Sequence, residues 1–110
     1  MIQHIVLFKL KDELQGEAKA ELIREIESKF EALPDEIKEL RALSIRPNRN
    51  PEEEYDFLLL AKLESKKDLK TYAEHPLHKA LSAELLKPNV AKRAAVDVWN
   101  ELEIRGNKKR

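Results

Sequence analysis

Ile2-Gln3-His4-Ile5-Val6-Leu7-Phe8-Lys9-Leu10 is the stretch from which the rest of this chain is read. It is rich in β-formers. Successive side chains of a strand point to opposite faces, so Ile2, His4, Val6, Phe8 and Leu10 share one face. Gln3, Ile5, Leu7 and Lys9 share the other. Both faces are apolar at the middle, the pattern of a strand covered on both sides. Residues 55–64 repeat that pattern, with Phe57, Leu59, Ala61 and Leu63 against Leu58 and Leu60.

The segments around these two strands complete a simple order. Residues 17–33 carry Leu22, Ile23, Ile26, Phe30 and Leu33 on one helical stripe, and Pro34 stops the helix. A strand is expected over residues 39–46 and a turn over the proline-bounded residues 47–51. Ser65-Lys66-Lys67-Asp68 resembles a capping box and starts a second helix. Leu69, Tyr72 and Ala73 lie on its buried side, and Pro76 breaks it. A further helical piece over residues 77–86 carries Leu81 and Leu85, and a last strand covers residues 94–100.

The order β-α-β-β-α-β predicts an α+β, ferredoxin-like domain with a four-stranded antiparallel sheet and both helices on one face. It occupies residues 1–102, with a flexible tail over 103–110. Helices on one face leave the other open, and that face is apolar on at least the first and third strands. A contiguous apolar face of this kind marks an interaction surface. A homodimer in which two such sheets face each other is the simplest cover.

Composition removes several classes of function. Twenty-one basic residues balance twenty-one acidic ones in 110 residues, so there is no positive field to hold nucleic acid. No apolar run approaches the roughly 20 residues that span a bilayer, and no membrane partner is expected. The first ten residues lack the basic start and small-residue cleavage site of a signal peptide. The chain has no cysteine, hence no disulfide, thiolate zinc site or thiol nucleophile. A reducing, cytoplasmic location is expected.

Tyr72-Ala73-Glu74-His75-Pro76-Leu77-His78 holds two of the three histidines and one of the two tyrosines. Histidine is the side chain that titrates near neutral pH, so the segment invites an acid–base reading. His78 follows a proline break, at an irregular corner, where a neutral imidazole could take a proton from carbon beside a carbonyl. The plainer alternative is that it bonds backbone groups. The Tyr72 hydroxyl needs a partner when buried and could donate to a carbonyl or enolate, unless a neighbouring backbone group satisfies it. His4 is either a core histidine or a polar group of the same pocket. His75 precedes Pro76 and reads as structural, fixing the helix end. Asp97 sits between Val96 and Val98, where an ion pair with Lys or Arg is the default and orienting a histidine is the sharper alternative. His75 and His78 are spaced to chelate only on an unbroken helix, and beyond His4 or Asp97 there is no third ligand, so no metal or cofactor is expected.

Taken together, residues 1–10, Tyr55 to Leu60, Tyr72 to His78 and Ala95 to Trp99 resemble the stress-responsive dimeric α/β-barrel (Dabb) domains in order and spacing. The resemblance runs from residue 1 to about 102. It implies a dimeric ferredoxin-like barrel. It also implies a cavity like that of a plant polyketide cyclase of the family, which closes a linear thioester by aldol chemistry without metal or cofactor. There the position of His78 is the general base and that of Tyr72 holds the thioester carbonyl. His4 and Asp97 match further residues of that cavity. Phe57 stands where the plant enzyme has another pocket histidine, which implies a more apolar pocket and means that the plant enzyme's substrate and reaction do not carry over directly. The implied protein binds a small apolar carbonyl compound, with His78 and Tyr72 catalytic and His4, Phe57 and Asp97 against the substrate. A non-catalytic dimeric stress or ligand-binding protein is the alternative, and a haem- or oxygen-dependent monooxygenase of the wider barrel group a second.

Overall fold

The computed structural model describes residues 1–99 and Gly106. Strand β1 spans Ile2–Leu10, helix α1 Gly16–Glu31, β2 Ala42–Pro47, β3 Phe57–Leu63, α2 Lys66–Glu74, α3 Pro76–Leu81 and β4 Val90–Trp99. A 3-10 turn over Leu33–Asp35 follows α1, and a wider π-type turn over Ser82–Leu86 follows α3. The sheet has four strands in the order β2-β3-β1-β4, every neighbouring pair antiparallel. This is the ferredoxin-like α+β architecture expected from the element order. The expected tail over 103–110 and the end of the last strand at Asn100 lie outside the described residues.

Alternation along the strands builds the core. Val6, Phe8 and Leu10 of β1, Leu43 and Ile45 of β2, and Phe57, Leu59, Ala61 and Leu63 of β3 are buried beneath the helices. Ile26 and Phe30 of α1 and Tyr72 of α2 close over them, with Leu85 and Leu86 from the π-type turn. Pro34 ends the helical stripe earlier than expected. Pro34 has no N–H to donate back to Phe30, so α1 stops at Glu31 and Leu33 reaches the core from the 3-10 turn. Ser65 caps α2 as expected, its hydroxyl accepting from the Asp68 N–H at 3.1 Å. The Asp56 carboxylate, just before β3, joins three elements. It accepts from the Leu10 N–H at 2.7 Å and from Lys19 Nζ at 2.8 Å.

The last strand corrects the sequence reading: it begins at Val90, not at residue 94. Val90 pairs with Leu10 after a bulge at the Lys9–Leu10 step, so β4 runs the whole length of β1. Polar residues Lys92 and Arg93 obscure that start in the sequence.

The helices cover β2, β3 and β1 and stop short of β4. On the helix side of β4, Arg93, Ala95, Asp97 and Trp99 are all exposed, Trp99 at 59%. The opposite sheet face carries no helix. Ile5, Leu7, Leu58, Leu60, Ala94 and Val98 are only partly buried there, and Val96 is 54% exposed. Among the described residues no helix is long and apolar enough to cross a membrane.

Candidate functional site

The uncovered margin between β4 and the broken second helix is a cavity of about 520 Å³, walled by β1, β3, α2, α3, the π-type turn and the start of β4. His4, Tyr72 and His78 all line it, among apolar neighbours that include Val6, Phe8, Leu59 and Leu69. Its volume falls within the ordinary range of small-molecule sites.

Local chain geometry sets the His78 ring. Pro76 cannot continue α2, so His75 is extended, with φ −64° and ψ 136°, and the chain restarts as α3. The His75 ring accepts from the Leu77 N–H through Nδ1 at 3.1 Å, capping the new helix. One turn on, His78 folds back onto α2, where its Nδ1 lies 3.1 Å from the Ala73 carbonyl oxygen. A carbonyl oxygen only accepts, so Nδ1 carries the proton and Nε2 keeps a lone pair. The ring packs against Tyr72, centroids 4.5 Å apart, and edge-on to Phe30 at 6.3 Å. Burial pushes the His78 pKa below its ordinary value, the Ala73 carbonyl opposes that, and the nearby His4 and His75 add to it. The result is a neutral imidazole at pH 7 with a free basic nitrogen.

Tyr72 is 2% exposed, and its hydroxyl has no hydrogen-bond partner among the described residues. The expected alternative, a tyrosine bonded to a backbone group, is therefore not what the fold contains. Burial alone pushes the phenol pKa well above its ordinary value, so the hydroxyl is a proton donor at any working pH. No side-chain polar atom is sealed off without a partner among the described residues, so this hydroxyl keeps its contact with solvent through the cavity.

The β1–β4 register sets Asp97 directly opposite His4. Its Oδ1 accepts from His4 Nδ1 at 2.5 Å. The default reading of Asp97 as the partner of a Lys or Arg is thus replaced: it orients a histidine. The carboxylate fixes the orientation of the His4 ring, with Nδ1–H donating to it. Asp97 itself does not line the cavity.

Phe57 is also displaced from its expected role. It is 1% exposed, stacked on Phe8 with centroids 5.0 Å apart, and absent from the cavity wall. The third-strand residue on the wall is Leu59, one inward position further along β3. Five other wall residues, Ser82, Leu86, Lys87, Val90 and Arg93, were not singled out in the sequence. Ser82 and Lys87 bracket the π-type turn, closed by the Lys87 N–H to Ser82 carbonyl bond at 2.9 Å, which has no sequence signature. Arg93 shares the strand parity of Asp97, a signal hidden by the misplaced start of β4. Among the described residues no three His, Asp or Glu side chains are placed to share a metal ion.

The fold and cavity define a ferredoxin-like domain with a small-molecule-sized hollow between helices and sheet. Residues 2–100 match the family model of the stress responsive A/B barrel domain, Dabb, and the chain belongs to that family. A protein from Streptomyces coelicolor described as uncharacterised is 36% identical over 86 residues, covering 73% of this chain and 81% of its own. A dimeric protein of unknown function and ferredoxin-like fold from Bacteroides fragilis superposes with a TM-score of 0.81 at 35% identity, over 88% of this chain and 93% of that one. A hydroxynitrile lyase from Passiflora edulis shares the fold, with a TM-score of 0.74 at 16% identity over 94% of this chain and 96% of that one.

Proposed function

We propose that this chain is a homodimeric Dabb protein, paired through its open sheet face, that takes a small apolar carbonyl compound into the cavity and moves a proton on the carbon beside that carbonyl. The observation that carries the chemistry is the Tyr72 hydroxyl: buried, unpartnered among the described residues, and on the same cavity wall as the free nitrogen of His78. The hydroxyl reaches solvent only through the cavity, and a ligand oxygen entering there is the partner it lacks within the described residues.

The steps follow from those two groups. His78 Nε2 takes the proton from carbon and becomes imidazolium. The electron pair of the broken C–H bond passes to the carbonyl oxygen as an enolate, which accepts the Tyr72 O–H. The imidazolium then returns its proton to carbon, or the enolate carbon attacks a second carbonyl of the same molecule, whose π pair moves onto oxygen as an alkoxide that takes the imidazolium proton. His78 is a weak base because burial lowers its pKa, so the reaction suits a C–H activated by more than one neighbouring group. His4, oriented by Asp97, adds a second imidazole to the wall. The dimer is supported by the apolar open face and by the dimeric relative from Bacteroides fragilis.

The test is solvent deuterium exchange into 1-phenylpropan-2-one, followed by NMR. The wild type is expected to accelerate exchange over buffer, and His78→Gln and Tyr72→Phe each to lose about a hundredfold. If the ketone shifts the His78 ring resonances and exchange stays at the buffer rate, the cavity binds and does not catalyse.

A further inference from the structure

The charge lining the cavity is one-sided. In a chain whose acidic and basic residues balance, no Asp or Glu among the described residues lines this hollow, and the full-time charges that do are Lys87 and Arg93. Both side chains are exposed, and neither meets a carboxylate among the described residues. Some surface cations are paired, as Lys92 is with Glu54 at 3.0 Å and Lys19 with Asp56 at 2.8 Å, but Lys87 and Arg93 stay available to a ligand. Asp97, the carboxylate on the same strand face as Arg93, is taken up by His4.

Position adds direction. Arg93 stands opposite Phe8 in the β1–β4 ladder, and Asp97 stands opposite His4. Four residues of β1 therefore separate the histidine end of the cavity from the arginine end, about 13 Å at the rise of a strand. Between them the wall is apolar, built from Val6, Leu59 and Leu69. The reach of an arginine side chain shortens the gap a ligand must bridge to several carbon atoms.

We infer that the ligand is amphiphilic: a carbonyl at the Tyr72–His78 end, an apolar body, and an oxyanion, carboxylate or phosphate, held by Arg93 and Lys87 at the other. This rests on the carbonyl reading of the cavity and adds a second recognition point to it. The guanidinium can hold either oxyanion through two parallel N–H bonds, while the lysine contributes a point charge.

Calorimetric titration with 7-oxooctanoate, its neutral methyl ester and 7-oxooctyl phosphate tests the inference. The keto acid is expected to bind about tenfold more tightly than the ester, as a charge-assisted hydrogen bond would give. Its affinity should fall as salt rises. Arg93→Ala should remove most of that advantage and leave the ester's affinity unchanged, and Lys87→Ala should remove part of it. A phosphate that outbinds the carboxylate names the head group within the same inference. Equal binding of acid and ester, untouched by Arg93→Ala, overturns the anion site while leaving the carbonyl site standing. No binding by any of the three probes overturns both.

Discussion

Replacing Tyr72 by phenylalanine separates a fold residue from a ligand residue by the sign of one number. If the hydroxyl served the fold, its loss would cost the usual net worth of a hydrogen bond, about 1 kcal/mol. In this structure it has no partner among the described residues and sits on a side chain only 2% exposed. Folding therefore strips part of the water from the hydroxyl with no protein partner in return; a fully sealed group would lose about 1–3 kcal/mol. The cavity leaves this one some contact with solvent. The expected gain for Tyr72→Phe is thus at the low end, about 0.5–1 kcal/mol, or a rise of about 2–6 °C in Tm for a domain of this size. Urea unfolding at fixed protein concentration reads it as a higher midpoint with an unchanged slope. A gain in stability with a loss of proton exchange is the trade expected of a functional residue. A loss of 1 kcal/mol or more would refute the reasoning, because it would reveal a structural bond to this hydroxyl.

Three further outcomes are expected. The folded pKa of His78 lies below its unfolded value, so the unfolded chain binds the extra proton first and stability falls as pH drops from about 6.5 toward the folded pKa. His78→Gln should flatten that part of the wild-type curve, and identical slopes between pH 7 and 5 would refute the burial argument. By the same shift, kcat/KM should hold level to below pH 6.5 before its acid limb. Leu60→Asp places a charge at the middle of the open sheet face and should convert dimer to monomer by light scattering, with the far-UV spectrum unchanged; a wild type already monomeric at micromolar concentration would contradict the proposed pairing. Asp56→Ala leaves the Leu10 N–H and Lys19 without their acceptor and should cost about 2 kcal/mol in urea unfolding; a cost under 0.5 kcal/mol would mean that water replaces the carboxylate.

Local chemistry was legible in the sequence. The alternation of Val6 and Phe8 against Ile5 and Leu7, the stripe through Ile26 and Phe30, the cap at Ser65 and the break at Pro76 each act within a few residues, so their reading needs no knowledge of distant partners. From them came the element order, the single helical layer, the open apolar face and the segment from Tyr72 to His78. The tertiary structure alone decided which residues meet. Register set Asp97 opposite His4 and took it from an ion pair to an orienting role, because a ladder places partners 93 residues apart in sequence face to face. Packing moved Phe57 under Phe8 and left Leu59 on the wall. The π-type turn and the early start of β4 brought Lys87 and Arg93 to the cavity. The hollow itself exists because the helices stop short of β4, and the space between elements is a property of how they pack, which no run of residues encodes by itself.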